Sequence, residues 1–161
     1  MNYIIREIKN SETHLLESFL YEAIFQRDEN NLIPQDVVKQ PEMKIYYENF
    51  GKADDICFAA EIEGKIIGAV WTRILSDEIK GFGNIDKYTP EFAISVCKDY
   101  RGKDIGTKLM KKILGTLKER GYKKASLAVQ KDNYAFKMYK NLGFSIVNET
   151  EEEYIMVCIL N

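Results

Sequence analysis

Hydrophobic and polar positions follow two periods along the chain, and these predict strands and helices in a definite order. Apolar residues at alternate positions, or in short runs, predict strands at residues 3–8, 56–62, 65–75, 91–96, 123–129, 144–150 and 153–160. Apolar residues three or four positions apart predict helices at residues 11–25, 34–51, 104–120 and 133–142. Because Pro41 interrupts the second of these, we expect two short helices there.

The order β-α-α-β-β-β-α-β-α-β-β predicts the α/β (α+β) fold class, with a mixed sheet that carries helices on its faces. Ser11 is the predicted N-cap of the first helix, and Glu63-Gly64 the turn between two strands. The chain has 161 residues and contains no repeat, low-complexity tract or linker. We therefore expect a single domain over residues 1–161.

Composition restricts the function classes. Hydrophobic residues make up 45% of the chain and charged residues 30%, with a net charge of -2 and a pI of about 5.6. This balance is typical of a globular domain, and the acidic pI argues against a nucleic-acid partner. Any attraction to phosphate must therefore come from a local arrangement of residues.

Further features concern location and metals. Residues 1–10 lack the apolar segment of a secretory signal, and no apolar run approaches the ~20 residues that cross a bilayer. Cys57, Cys97 and Cys158 show no Cys-x-x-Cys spacing, which indicates free thiols in a reducing compartment. We expect a cytoplasmic protein without a membrane partner. Since His14 is the single histidine, no metal centre is expected.

Residues 100–107 combine positive charge with glycines directly before the third predicted helix. The first turn of a helix has N–H groups without intrahelical partners, and glycine lets an anion approach them. Gly102 and Gly106 would give this access, while Arg101 and Lys103 add charge, so the segment predicts a phosphate or diphosphate site. A glycine-rich turn before a well-capped helix is the alternative. The spacing fits neither a Walker A loop nor a dinucleotide-binding fingerprint.

A second segment makes a family resemblance specific. The sequence "SVCKDYRGKDIGTKLM" followed by "DNYAFKMYKNLGF" resembles the GNAT superfamily of acyl-coenzyme A dependent N-acetyltransferases. The first piece matches the Arg/Gln-x-x-Gly-x-Gly/Ala signature of the superfamily, and the second matches its Asn…Tyr…Gly-Phe helix. The resemblance covers nearly the whole chain. It implies a mostly antiparallel sheet of about seven strands, flanked by four to five helices, and acetyl-CoA as cosubstrate without a metal.

In that superfamily the strand before the loop splays from the next strand, and the pantetheine arm of the cofactor lies in the gap. The resemblance implies that the main chain at Ile94 and Val96 binds pantetheine, and that Tyr139 lies near the thioester sulfur. It assigns the diphosphate to the loop and the first helical turn, at Arg101, Gly102, Lys103, Asp104, Gly106 and Thr107.

Two positions depart from the superfamily pattern. Asp104 stands where a glycine is usual, and its carboxylate would either repel the diphosphate or cap the helix. We expect the cap, because aspartate is a favoured N-cap residue and tolerates left-handed backbone angles. Relatives place an asparagine six or seven residues before the tyrosine, which gives Asn133 or Asp132. We prefer Asn133 for pantetheine binding, since an amide both donates and accepts hydrogen bonds.

The implied reaction is direct attack of a primary amine on the acetyl thioester. A lysine-like amine has a pKa of about 10.4, so it needs a base. Glu91 is the candidate by analogy, although it is one residue out of the usual register; a solubilising surface role is its alternative, and Glu61 is the second choice as base. The main-chain N–H near Val96 would stabilise the oxyanion. Tyr139 would protonate the departing thiolate, with a packing role as its alternative.

Acceptor recognition in the superfamily comes from the first helices and from loops at the strand edges. These correspond to residues 25–50, with Tyr46 and Tyr47, and to residues 76–89, and nothing in them selects an acceptor. The prediction is therefore an N-acetyltransferase for a primary amine of a small molecule, protein or peptide. A non-catalytic acyl-CoA sensor, a ribosomal-protein or peptide N-terminal acetyltransferase, and an RNA-associated module are the alternatives. Homodimers are common among relatives, and the sequence leaves this open.

Overall fold

The structure is a computed structural model that describes residues 2–161. Its strands are β1 (Ile4–Glu7), β2 (Ile56–Ile62), β3 (Lys65–Arg73), β4 (Glu91–Val96), β5 (Lys124–Gln130), β6 (Phe144–Glu149) and β7 (Glu153–Ile159). Its α-helices are α1 (Leu16–Ala23), α2 (Pro41–Lys44), α3 (Ile105–Glu119) and α4 (Ala135–Asn141). Short 3-10 helices lie at Asn10–Leu15, Gln35–Lys39 and Lys98–Tyr100.

The strands form one sheet in the order β1-β2-β3-β4-β5-β7-β6. Every neighbouring pair is antiparallel except β4 and β5, which lie parallel at the centre of the sheet. The predicted fold class, a mixed and mostly antiparallel sheet with helices on its faces, is confirmed. In the described chain, no helix is long and apolar enough to cross a membrane.

Each face of the sheet has its own hydrophobic core, because side chains alternate along each strand. On one face the stripe of α3 is buried against β2, β3 and β4, through Ile105, Leu109, Ile113 and Leu117. On the other face α1 packs against β4, with Trp71 of β3 at the centre of the cluster. On β4, Phe92, Ile94 and Val96 therefore face α3, whereas Glu91, Ala93 and Ser95 face the α1 side.

Most predicted elements are present, with one difference in the first helix. It begins as the 3-10 helix Asn10–Leu15, so Ser11 lies inside this turn and the prediction of Ser11 as N-cap is wrong. The carboxylate of Glu12 instead forms an ion pair with Arg6 and accepts a hydrogen bond from the main-chain N–H of Lys9. These two contacts lower the pKa of Glu12 to about 2. The two short helices around Pro41 are confirmed, with Pro41 as the first residue of α2.

Candidate active site

The centre of the sheet is open between β4 and β5. Among residues 2–161, these strands are paired at one position, Glu91 with Ser126, where the N–H of Ser126 donates to the Pro90 carbonyl at 2.9 Å. Beyond this pair the strands diverge, and a cleft of about 840 Å³ lies on the β4 side against Ile94, Ser95 and Val96. The predicted splay between these two strands is present.

The hydrogen-bond register of β4 determines which peptide groups face the gap. The N–H of Cys97 donates to the Ile67 carbonyl of the β3 side at 2.8 Å. In an antiparallel pair, hydrogen-bonded and non-hydrogen-bonded partners alternate. Ser95 and Ala93 therefore bond to β3, whereas the N–H and C=O groups of Ile94 and Val96 point away from β3 toward the cleft. These are the two residues predicted to bind pantetheine through the main chain.

The start of α3 forms the next wall of the cleft. The N–H of Lys108 donates to the Asp104 carbonyl, which is the first helical hydrogen bond. The N–H groups of Ile105, Gly106 and Thr107 precede it, so they have no acceptor within the helix. Gly106 lies close against the strand: an added Cβ would contact the side chain of Val96 at 3.9 Å.

The two basic residues of the loop differ in position. Arg101 lines the cleft, and its Nε donates to the carbonyl oxygen of Val96 at 2.8 Å. The guanidinium thus crosses the open end of β4 and contacts a peptide group that faces the gap. The Lys103 ammonium lies 5.8 Å from the centre of the ring of Tyr100, which lines the cleft, whereas Lys103 itself does not. Arg101 therefore contacts the cleft directly, and Lys103 contributes charge at its rim.

The structure corrects the prediction for Asp104. The residue occupies the N-cap position of α3, but within the described residues its side chain makes no capping hydrogen bond. Its backbone is left-handed, with φ 69° and ψ 7°, whereas a capping side chain normally extends from a β-region residue. Asp104 lines the cleft, so its carboxylate remains close to the predicted diphosphate position. Asp104 thus adopts the left-handed backbone angles that were expected to be tolerated, but its side chain does not cap α3.

Tyr139 and Asn133 line the cleft from the α4 side. Tyr139 is 9% exposed, its ring packs edge-on against Phe144, and burial raises the pKa of its hydroxyl to about 12. A hydroxyl with this pKa keeps its proton at neutral pH. The Oδ1 of Asn133 accepts the N–H of Ala135, which leaves its amide N–H groups for a ligand.

Glu91 is buried at the closed end of the cleft. Its side chain is on the face toward α1, it is 3% exposed, and the surface alternative is therefore wrong. Oε2 accepts hydrogen bonds from the Tyr46 hydroxyl at 2.5 Å and the Gly83 N–H at 3.1 Å. Burial raises the pKa of Glu91 to about 7. The second choice as base, Glu61, pairs with Arg6 on the β1–β2 edge, away from the cleft.

Two contacts that shape the site are not predicted from the sequence pattern. Tyr46 holds both Glu91 and the loop over it, since the N–H of Phe82 donates to the Tyr46 hydroxyl at 2.8 Å. Arg27 joins the segment after α1 to Asp132, which explains why Asn133 and not Asp132 faces the cleft. The first contact had a signal in the sequence, because Gly81-Phe82-Gly83 is a pattern that allows close backbone approach.

The site contains no arrangement suited to a metal. Across residues 2–161, no group of three or more histidine, cysteine, aspartate or glutamate side chains is placed to hold an ion. The hydrogen-bond donors of the cleft include main-chain amides, Arg101, the Asn133 amide and the Tyr139 hydroxyl, and its wall also carries the carboxylates of Glu22, Glu29 and Asp104. This donor set suits an anionic ligand that also carries amide groups.

A central sheet that opens beside a glycine-flanked helix N-terminus defines an α/β fold with a cleft for an anionic ligand that also carries amide groups. The chain belongs to the Acetyltransferase (GNAT) family, whose family model matches residues 20–144. The family resemblance inferred from the sequence is confirmed.

Comparisons with individual proteins agree with this assignment. The mycothiol acetyltransferase of Saccharomonospora viridis is 31% identical over 108 residues, which are 66% of this chain and 35% of that protein. The chain thus spans about a third of the length of this curated relative. Among solved structures, a GNAT-family acetyltransferase from Staphylococcus aureus superposes with a TM-score of 0.71 at 22% identity, over 99% of this chain and 100% of that one. The PaiA N-acetyltransferase of Thermoplasma acidophilum, solved with coenzyme A, gives 0.69 at 18% identity, over 99% of both chains. At these identities the likeness shows the fold.

Proposed function

We propose that this protein is an N-acetyltransferase that transfers an acetyl group from acetyl-CoA to a primary amine by direct attack in a ternary complex. One observation carries the proposal: the peptide groups of Ile94 and Val96 that face away from β3 share a cleft with the unpaired N–H groups at the start of α3. Together they offer strand-like partners for amides and a positive helix terminus for an anion.

The donor set of the cleft fits acetyl-CoA in two respects. The N–H groups of Gly106 and Thr107, with Arg101 beside them, would hold the diphosphate. The main chain of Ile94 and Val96, with the amide of Asn133, would hold the pantetheine amides. An added Cβ at Gly106 would lie 3.8 Å from the Met138 sulfur and 3.9 Å from the side chains of Ile94 and Val96, so these side chains line the start of α3 at ordinary contact distance. Gly102, with φ 74°, gives the turn that brings the loop to the helix.

The reaction needs three contributions from this chain, while bound acetyl-CoA supplies the activated acetyl thioester. The N–H of Val96 points into the cleft and would donate to the carbonyl oxygen as it gains charge. Tyr139 would give its proton to the sulfur that leaves, which its raised pKa allows at neutral pH. Glu91 would take the proton that the acceptor ammonium must lose before its nitrogen can attack. Because Glu91 lies beneath the closed end of the cleft, this proton has to travel.

The acceptor is proposed as an amine without further assignment. The mycothiol acetyltransferases and the ribosomal-protein-S18-alanine N-acetyltransferase of Escherichia coli show different acceptors among similar proteins. The cleft wall formed by the end of α1 and the segment after it carries Glu22 and Glu29, which favours a cationic amine. A cytoplasmic location is supported by Cys57, Cys97 and Cys158, which are free thiols. A homodimer stays a prediction.

Calorimetry with acetyl-CoA, followed by thiol release over a panel of amines and peptides, tests the proposal. We expect saturable binding and acetyl transfer to at least one amine. Absence of acetyl-CoA binding at millimolar concentration would refute the proposed cleft. Binding without transfer to any amine would favour the non-catalytic sensor instead.

A further inference from the structure

The connection from β3 to β4 carries an exposed aromatic ring above the buried carboxylate of Glu91. The tip of this connection is Gly81-Phe82-Gly83, and the Phe82 side chain is 51% exposed. The N–H of Phe82 donates to the Tyr46 hydroxyl at 2.8 Å, and the N–H of Gly83 donates to Oε2 of Glu91 at 3.1 Å. The backbone of the tip is therefore fixed by two hydrogen bonds at successive residues, on the residue that presents the ring and the one after it.

Two glycines bring the tip into contact with the sheet. An added Cβ at Gly81 would lie 2.0 Å from Oε1 of Glu91, and one at Gly83 would lie 2.6 Å from the backbone of Leu127. A larger residue at either position would therefore displace the tip or the groups beneath it. Above this close contact, Phe82 stacks on the buried ring of Tyr46, with centroids 6.3 Å apart and planes at 12°. One face of the Phe82 ring is thus covered, and the other remains open to solvent.

The tip stands beside the point where β4 and β5 begin to separate. An added Cβ at Gly83 would also lie 2.8 Å from the main-chain N of Ala128, two residues beyond Ser126, which pairs with β4. Ala128 on β5 and Ala93 on β4 are the next side chains that face the α1 side, and both are partly exposed. The opening therefore has a small, apolar and accessible floor on the α1 side, next to Phe82.

A carboxylate on the same face of the sheet lies near this floor. Glu153 on β7 is the strand partner of Gln130 on β5, two residues beyond the alanine on that strand. Burial is the main reason that the pKa of Glu91 is raised, and the negative charge of Glu153 raises it further, so Glu153 lies close to the group beneath the tip. The cation at this end of β5, Arg27, is engaged by Asp132 and by the Gln130 amide. Glu153 therefore remains available to attract an ammonium group.

We propose that Phe82, Ala93 and Ala128 form the acceptor-binding surface, and that this surface selects a primary amine attached to an apolar or aromatic group. The inference rests on the proposed acetyltransferase function and deepens it, because it names the class of acceptor. Acetyl-CoA would enter the gap from the start of α3, so the acceptor has to meet its thioester from the α1 side. The apolar body of the acceptor would cover the open face of the Phe82 ring and the alanine floor, which removes apolar surface from water.

A series of amines measures this selection. Methylamine, n-butylamine and 2-phenylethylamine carry the same ammonium on apolar groups of increasing size, and spermidine is a polar polycation. We expect the wild-type kcat/KM to rise along the first three amines and to be lower for spermidine than for 2-phenylethylamine. Phe82→Ala should lower kcat/KM for 2-phenylethylamine roughly tenfold, mainly through KM, because the aromatic contact is lost while the reacting groups remain. The value for methylamine should change by less than about twofold, since its methyl group covers little of the ring.

Tyr88→Ala is the matched control. Tyr88 is an exposed aromatic residue of the same connection, but its ring lies beside the Lys87 ammonium, in a pocket with Asp54 and Tyr122 beyond the far end of α3. This variant should keep the wild-type order of amines. Phe82→Tyr keeps the ring and should keep that order as well.

Thermal unfolding separates recognition from a structural role. Because half of the Phe82 side chain is in solvent, Phe82→Ala should fold and should melt close to the wild-type temperature. A lower melting temperature together with an equal loss of kcat/KM for all four amines would show that the ring only supports the tip. That result would overturn the inference.

The other failures are also distinguishable. If the wild-type protein acetylates spermidine or methylamine more efficiently than 2-phenylethylamine, or if Phe82→Ala keeps the wild-type preference, the inference is overturned and the acetyltransferase proposal stands. Dissociation of a wild-type oligomer by Phe82→Ala, measured by sedimentation, would assign the ring to a contact between copies and would also overturn it. If the wild-type protein acetylates none of the four amines, the acetyltransferase proposal fails for small amines and the inference fails with it.

Discussion

Arg27 and Asp132 face each other across the mouth of the cleft and form a two-point ion pair. Nε lies 2.7 Å from Oδ2, and Nη2 lies 2.7 Å from Oδ1. The same Nη2 donates to Gln130 at 2.6 Å. Arg27 follows α1 and Asp132 precedes α4, so the pair joins the two walls of the cleft. The hydrogen bond from Arg27 holds the pKa of Asp132 below its ordinary value.

Replacing Arg27 by alanine should loosen the segment after α1 without unfolding the protein. Both partners are about half exposed, at 48% and 56%, so solvent and salt screen the pair. We expect faster hydrogen exchange at residues 24–34, a changed KM for the acceptor, and an unchanged melting temperature. Lys39→Ala, which removes the exposed pair with Glu17 at 3.3 Å, is the control. Equal hydrogen exchange at residues 24–34 in both variants would show that Arg27 does not hold the segment after α1 in place.

Tyr139→Phe should lower kcat roughly a hundredfold, because the phenolic proton for the leaving sulfur is lost while the ring remains. Binding of acetyl-CoA, measured by calorimetry, should change little. Tyr122→Phe is a matched control: its hydroxyl also has a pKa raised to about 12, but it bonds Asp54 beyond the far end of α3. Near wild-type turnover by Tyr139→Phe at all pH values would leave Tyr139 as a packing residue.

Two substitutions at Asp104 separate charge from backbone strain. Asp104→Asn removes the negative charge but keeps a residue that tolerates φ 69°, so acetyl-CoA should bind roughly fivefold tighter, the effect of about 1 kcal/mol. Asp104→Gly should give the same gain in affinity and also raise the melting temperature, since glycine adopts left-handed angles freely. Calorimetry and thermal unfolding give the two readouts. An unchanged dissociation constant in both variants would mean that the carboxylate does not sense the diphosphate.

Glu91 should make the protein less stable as the pH rises from about 4.5 to about 7. The pKa of this carboxyl is 4.5 when unfolded and about 7 when folded, so in this window the folded state keeps a proton that the unfolded state has lost. The stabilisation that this group contributes is fully present below pH 4.5 and is lost once the pH has risen to about 7. The change in the free energy of unfolding is about 3 kcal/mol at most.

Urea unfolding at several pH values measures this contribution as the difference between the wild-type protein and Glu91→Gln. The glutamine variant should lack this part of the pH dependence. Glu119→Gln, an exposed change near the end of α3, should follow the wild-type curve. Parallel curves for Glu91→Gln and the wild-type protein would mean that Glu91 titrates normally.

Local sequence patterns were sufficient to predict the helices that bury one regular apolar stripe and the strands in which apolar and polar residues alternate. Ile105 and Leu117 mark the two ends of the α3 stripe and are both buried as the helical spacing predicts. The glycine loop was also predictable, because its residues are adjacent in sequence and act through the helix that they precede. The same holds for Asn133 and Tyr139, which belong to one turn and helix.

Contacts between distant segments were not predictable. The sequence allows a surface position for Glu91, because its strand alone does not reveal that Tyr46 and Gly83 enclose it. The missing cap at Asp104 has another cause: sequence gives the residue type, but the side chain follows from a left-handed φ that the loop imposes. Both errors concern residues whose environment is built by chain segments far away in sequence or by an unusual backbone angle.

The alternating peptide groups of β4 form one wall of the cleft and also set the spacing that the amides of a ligand must have. Ile94 and Val96 are two residues apart, so their outward amides repeat at about 6.6 Å. A ligand that takes the place of the missing β5 partner must therefore carry its own amides near that interval. A short acyl thioester without such amides would leave the N–H groups of Ile94 and Val96 without partners, so the amide-bearing arm of the ligand, more than its acyl group, would determine binding.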